Sequence, residues 1–446
     1  MLHGTVFSKR VPLAAGGNMN HYFYKCFDCD SRFSIEEIEP VFQYLCPKCG
    51  KAEKNQPLRG VLGVEYDYKE LKRELDRGDF LNFVCGEFWH YPRLWPLDFR
   101  KEKGRIIIRD VTEQQFNRIR LNTHPLLEYN PDDRAVMFFD DTRNPTLSYK
   151  DRASIIVAVK ALQMGINEIA AASTGNAGSS LAGICARLGL KAHLFVPESI
   201  PTAKRLQIQS FGAEIYLVKG DYDQAFDLSL EISNKKGWYN RNTAYNPLTI
   251  EGKKSGAYDI FITCGGKVPD IILVPVGDGV ILSGMFKGFW ELQELGWIEK
   301  LPRLIAVQSG GSDALVRYLE TGHFEYQPAS TVADSICAGA PRGLYMAAHA
   351  VRESAGKAIA VSDNEILQAQ KLLAQQTGLL VEPAAAASLA GYQKLKSKEK
   401  MLSSKSRVLL MMTGNGLKDV EALKQWNPVS DARTPAEWKK EKEQYF

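Results

Sequence analysis

From Glu168 onward the chain alternates short apolar runs with longer helical stretches, and that alternation is what most limits the folds open to it. Glu168–Ala172, Lys191–Val196, Glu214–Val218, Asp270–Pro275, Arg303–Gln308 and Arg407–Met412 read as strands. Helices are expected up to Leu188, over Thr202–Phe211, Asp221–Lys235, Ile281–Leu295 and Asn364–Gln376, and onward from Pro383. Strands and helices in turn build a parallel sheet with crossover helices on its faces, and ligand loops gather at the carboxyl ends of the strands. The expected class is α/β, doubly wound. No internal repeat is visible. The polar tail after Asn427 reads as a surface helix or a loose arm.

Bulk properties set outer bounds. A length of 446 residues suggests roughly three domains. Hydrophobic content of 45% and charged content of 24% suit a globular protein with a full core. The net charge of +4 is small for this length and gives no reason to expect nucleic acid or an anionic membrane as partner. No apolar run approaches the ~20 residues that span a bilayer. Lys9 and Arg10 are not followed by a long apolar stretch, so no signal peptide is expected. The default is a cytoplasmic enzyme.

Four of the eight cysteines form two pairs, Cys26-x-x-Cys29 and Cys46-x-x-Cys49, with sixteen residues between them. That spacing fits a tetrahedral thiolate site made of two tight knuckles, the second shaped by Pro47 and Gly50. Tyr22, Tyr24, Phe33 and Tyr44 could cover a site too small for a core of its own. Zinc is the expected ion, in a structural role, because four thiolates leave no open position. The alternatives are two unrelated pairs or a labile disulfide. A redox role is disfavoured because neither pair opens a helix in a βαβ pattern. Cys85, Cys185, Cys264 and Cys337 are scattered among apolar neighbours, as in a reduced compartment.

Lys150 follows the turn Asn144-Pro145-Thr146-Leu147-Ser148-Tyr149 and directly precedes the apolar segment Ile155–Met164, which sets an amine at the mouth of a helix. An amine so placed can form an imine with an aldehyde cofactor. Three strand-end loops add to it. Val276-Gly277-Asp278-Gly279-Val280 can close backbone N–H groups around a phosphate at a helix start. The other reading, a dinucleotide fingerprint, lacks its third glycine because Leu282 stands there. Ser173-Thr174-Gly175-Asn176 suits a carboxylate or a phenolic oxygen, or else Ser173 or Thr174 merely caps the next helix. Thr413 in Thr413-Gly414-Asn415-Gly416 can offer a hydroxyl to a ring nitrogen, or simply cap a glycine turn. Glu382, just before Pro383, reads as a capping charge.

An imine lysine, a phosphate cup, an oxygen-binding loop and a hydroxyl for a ring nitrogen match the groups of pyridoxal 5′-phosphate. On these motifs, from Asn144 to Asp419, the chain resembles the threonine synthase branch of the fold-type II pyridoxal-phosphate enzymes, and a zinc-ribbon-like start is known in that branch. The resemblance implies that Lys150 holds the cofactor as a Schiff base and that Asn176 meets the ring hydroxyl. Gly277, Asp278, Gly279 and Val280 would cradle the cofactor phosphate, and Thr413 would face the ring nitrogen. Ser173 and Thr174 would take the substrate carboxylate, with Ser148 and Lys204 as weaker candidates for the substrate phosphate. The metal ligands would be Cys26, Cys29, Cys46 and Cys49. The implied division is a module over 1–58, a large cofactor domain over 59–155 and 264–446, and a small mobile α/β domain over 156–263.

The implied reaction is conversion of O-phospho-L-homoserine and water to L-threonine and phosphate. A related β-replacing or β-eliminating enzyme, such as an O-phosphoserine-dependent synthase or a serine or threonine dehydratase, is the alternative. A catalytically idle binding protein is the alternative of a different class, and the intact Lys150 opposes it. A homodimer is favoured by fold analogy. Three departures from the family pattern put the substrate in question: His124 between Thr123 and Pro125, Leu147 at a position usually small, and Asp278 with Val280 in the phosphate loop.

Overall fold

The computed structural model describes residues 21–442 apart from 88–90, 103–104, 130–135, Thr174, Pro201, Asp221, 399–405, 428–431 and Arg433. The first twenty residues, over which no signal peptide is expected, lie outside the described residues, as does Thr174. Two parallel sheets carry the molecule. The larger takes β6 (Leu126–Tyr129), β7 (Val136–Asp140), β12 (Ile271–Pro275), β13 (Arg303–Ser309), β14 (Lys357–Val361) and β15 (Val408–Met412) in the order β14-β13-β12-β15-β7-β6. Only β6 runs antiparallel to its neighbour. The smaller has the order β10-β9-β8-β11, from β8 (Glu168–Ala172), β9 (Lys191–Pro197), β10 (Glu214–Val218) and β11 (Tyr239–Asn240), all parallel. The expected α/β class holds, and the strands read from apolar runs fall within a residue or two of the observed ones.

The core strands β7, β12 and β15 are buried along their whole length. Burial on both faces explains why they read as unbroken apolar runs rather than alternating ones. The same physics hid one helix. Leu248–Thr263 is buried over almost all of its length, charged residues included, so it has no polar stripe to reveal its period. Within the tail, read as a surface helix or a loose arm, Pro435–Lys442 is helical.

The N-terminal segment forms a three-stranded antiparallel sheet, β1 (Tyr22–Cys26), β2 (Arg32–Phe33) and β3 (Leu62–Tyr66), in the order β2-β1-β3. Its aromatics do more than cover a small site. Tyr22, Tyr24, Phe33 and Tyr44 belong to the main core, and the Tyr44 hydroxyl accepts from the Asn240 amide at 2.7 Å. Lys160 pairs with Glu39 at 2.8 Å and donates to the Tyr22 hydroxyl at 2.7 Å. The module is therefore docked on the α/β body. The hairpin β4 (Phe99–Glu102) and β5 (Arg105–Ile108) lies apart from both large sheets.

Candidate active site

Lys150 opens the Lys150–Gln163 helix, and the turn before it is held by its own polar side chains. Asn144 accepts from the Asn122 amide (2.9 Å) and donates to the Ser148 carbonyl (3.3 Å). Asp151 folds back on Thr146, accepting from its amide at 2.6 Å and from its hydroxyl. Leu147 adopts φ +67°, a left-handed conformation that disfavours branched or bulky side chains. That backbone requirement is a physical reason for a small residue there. The turn is then tied to the β15 loop: the Tyr149 amide donates to the Thr413 carbonyl (2.9 Å) and the Asn415 amide to the Leu147 carbonyl (3.1 Å).

A cleft opens beside Lys150, between the two sheets' carboxyl-end loops. Ser173, Asn176 and the loop from Gly277 to Val280 line it, as do Asp334 and Ser335. The Val280–Glu294 helix begins at the cleft with no side chain capping its first amides, and Gly279 before it has φ +87°. Uncapped N–H groups at the start of a fifteen-residue helix form an anion site. One Asp278 carboxylate oxygen accepts from the Arg342 amide at 3.2 Å. The acid in the phosphate loop thus has a backbone partner of its own.

Asn176 is fixed by a carboxylate that the sequence suggested only as a cap. Glu382 is 1% exposed and accepts from Asn176 Nδ2 at 2.6 Å, while Nδ2 also donates to Ser335 Oγ at 3.2 Å. Asn176 Oδ1, by contrast, is buried and without a partner. An orphaned acceptor beside the cleft suits a ligand hydroxyl. Ser148 Oγ is a second buried atom without a partner. These groups and the uncapped helix fit a pyridoxal phosphate: an amine for its aldehyde, an acceptor for its hydroxyl, and amides for its phosphate.

The other expected contacts divide. Ser173 Oγ accepts from the amides of Gly175 (3.1 Å) and Gly178 (2.8 Å), so it caps the Asn176–Leu188 helix while lining the cleft. Lys204 is engaged elsewhere. Its ammonium donates to both Asp334 oxygens at 2.6 Å and to Ser335 at 3.1 Å, with Glu382 4.0 Å away. Thr413 is 6% exposed, one residue before Gly414, where an added Cβ would meet the Glu382 carboxyl carbon at 2.6 Å. His124 is exposed and bonds to Thr123 at 3.0 Å, so that departure stays on the surface.

Charge around the cleft is uneven. Burial pushes the Lys150 ammonium from its ordinary 10.5 down to about 8, with Asp278 pulling the other way and Arg241 adding to the fall. Lys253, from the buried Leu248–Thr263 helix, also lines the cleft. Burial, then Lys150 and Arg241, drive its ammonium well below the ordinary range. Sequence reasoning missed Lys253, Arg241, Asp334 and Ser335, and read Glu382 only as a cap.

The four cysteines also meet. Their sulfurs lie within 4.8 Å of one another, with Cys26 and Cys49 3.4 Å apart and Cys29 and Cys46 3.7 Å apart. A tetrahedral ion with metal–sulfur bonds of about 2.3 Å would set its sulfurs about 3.8 Å apart. The set fits zinc.

A family model described as "Pyridoxal-phosphate dependent enzyme" matches residues 120–414. The chain belongs to that family. It is 33% identical over 402 residues to a threonine synthase of Methanocaldococcus jannaschii, covering 89% of this chain and 93% of the relative. A threonine synthase of Methanosarcina acetivorans is 32% identical over 406 residues, covering 90% and 93%. These relatives bear out the resemblance to the threonine synthase branch. Among solved structures, maize serine racemase superposes with a TM-score of 0.59 at 19% identity, covering 68% of this chain and 91% of that one. At that identity the likeness speaks for the fold-type II architecture alone. No helix among the described residues is long and apolar enough to cross a membrane.

Proposed function

We propose that this pyridoxal-phosphate enzyme is a threonine synthase, converting O-phospho-L-homoserine and water to L-threonine and phosphate. The observation that carries the reading is identity above 30% to threonine synthases along nearly their whole length, joined to an intact Lys150 at the cleft. When bound, the cofactor would supply an electron sink for charge developing at the substrate Cα. Lys150 would hold it covalently, Asn176 Oδ1 would accept from its hydroxyl, and the amides from Gly277 to Val280 would take its phosphate. Thr413 would offer its hydroxyl to the ring nitrogen, and Ser173 and Thr174 would orient the substrate carboxylate.

Once released, the Lys150 amine would remove the Cα proton. Its lowered pKa of about 8 leaves a useful share neutral near pH 7. Dryness would come from the unit over 156–263 closing on the larger one over 59–155 and 264–446. Zinc on Cys26, Cys29, Cys46 and Cys49 would brace the module over 1–58. A cytoplasmic location and a homodimer belong to the same reading.

The test is a panel of O-phosphohomoserine, O-phosphoserine, serine and threonine, read for inorganic phosphate and amino-acid product together. Equimolar phosphate and threonine from O-phosphohomoserine is expected. Turnover of O-phosphoserine or threonine in its place would overturn the assignment.

A further inference from the structure

The cleft holds one charged group that neither the cofactor contacts nor the fold accounts for. Lys253 is 0% exposed, its Nζ has no hydrogen-bond partner, and it lines the cleft. An unpaired buried ammonium is costly, so a lysine kept in such a place is suited to a ligand anion. Its position is fixed from two sides. A Cβ added at Gly252 would fall 2.6 Å from Ala153 Cα, on the helix that begins with Lys150. One added at Gly284 would fall 2.6 Å from Lys253 Cβ, on the helix that begins at the glycine loop. The Lys253 carbonyl also accepts from the Tyr149 hydroxyl at 2.6 Å. Close backbone approach thus locks Lys253 between the two elements that would carry the cofactor.

Arg241 supports it. It follows β11, donates to Thr243 Oγ1 at 2.9 Å, and leaves Nη2 buried without a partner, while Thr243 lines the cleft. The charges acting on Lys253 are Lys150, Arg241 and Asp278. Basic groups thus outnumber acidic ones around Lys253, a setting that suits an anion such as a phosphate monoester. Lys204, by contrast, is already neutralised by Asp334.

We propose that Lys253, seconded by Arg241, anchors the phosphate monoester of the substrate in this cleft. The cofactor phosphate, served by the uncapped Val280–Glu294 helix, is the other source of the same chemistry. The proposal rests on the O-phosphohomoserine reading for the identity of the substrate.

The test uses holoenzyme with Lys253→Gln and Lys253→Arg, and inorganic phosphate as probe. The expected result is that Lys253→Gln raises KM for O-phosphohomoserine and the inhibition constant for inorganic phosphate by about tenfold or more. Dissociation of pyridoxal phosphate, read by absorbance titration, should change less than about twofold. Lys253→Arg should recover part of the phosphate affinity. Loss of cofactor affinity with phosphate inhibition unchanged would overturn the proposal in favour of the cofactor phosphate, and so would no change in either.

Should wild type fail to turn over O-phosphohomoserine while inorganic phosphate still perturbs the cofactor band through Lys253, the anion site stands and the substrate assignment falls. If Lys253→Gln does not fold, carbamylation of Lys253 in wild-type holoenzyme, read by peptide mass spectrometry, decides. Slowing by inorganic phosphate supports the site, and an unchanged rate overturns it.

Discussion

Two adjacent lysines on one buried helix have opposite fates. Lys254 is fully paired, 2.7 Å from Glu251 and 3.1 Å from Glu291, with Lys287 close to the same two acids. Tyr66 donates to Glu251 at 2.8 Å and Tyr68 to Glu291 at 3.0 Å, and Tyr258 also bonds Glu291. Two acids and two lysines cancel, and tyrosine hydroxyls donate to one oxygen of Glu251 and to both oxygens of Glu291. Lys253, one residue earlier, faces Lys150 and Arg241 with only Asp278 to offset them. A balanced cluster is complete within the chain. An unbalanced one is completed from outside.

The largest effect should come from the unbalanced side. Lys150→Ala removes both the anchoring amine and the proton carrier, so turnover should fall by roughly a thousandfold or more. The cofactor's imine absorbance should vanish with it. Substantial remaining turnover would detach the cleft from the chemistry.

On the balanced side, Lys254→Met strips a counter-charge from two buried carboxylates. Denaturant unfolding should show a loss of about 3–5 kcal/mol. Lys253→Met in cofactor-free protein should lose far less, because no partner is left stranded. Equal losses would erase the contrast.

The cysteine cluster sharpens the same point, since four sulfurs lie within 4.8 Å of one another and, once deprotonated, need a cation among them. Metal analysis should find one zinc per chain. Chelation should expose the module's seam with the body, where Tyr44 bonds Asn240, and lower the thermal midpoint. A metal-free protein with an unchanged midpoint would remove zinc from the account.

The difference between the clusters also marks what could be read in the sequence. Lys150 and the glycine loop were legible because a turn and a helix mouth are local patterns of a few residues. Glu382, Ser335 and Asn176 form one hydrogen-bonded wall from segments 206 and 159 residues apart, and no spacing rule reaches across that distance. Glu382 was misleading as well, because an acid before Pro383 has the signature of a cap. Lys253 was hidden with its helix, whose burial on all sides erased the amphipathic period. The region from Gly60 to Arg120, dense in aromatics and charge, makes sense only once Tyr66 and Tyr68 are seen covering Glu251 and Glu291.

The smallest effect is a slope of stability with pH in cofactor-free protein. In the unfolded chain Lys150 keeps its proton up to its ordinary 10.5, while in the folded chain it releases it near 8. Between those values the unfolded state binds more protons, so stability rises with pH. Lys253, also lowered by burial, acts in the same direction. Buried thiols and phenols act the other way. Burial raises Cys85, Cys185 and Tyr66, so their stabilisation fades as pH climbs past the unfolded values of 9.0 and 10.0. The two trends overlap above pH 9 and would blur a single measurement. Comparing wild type with Lys253→Met between pH 7.5 and 9 removes the shared background, as both carry the same thiols and phenols. Wild type should gain more stability than the variant across that window, and parallel curves would mean that Lys253 is already neutralised by a partner within the chain.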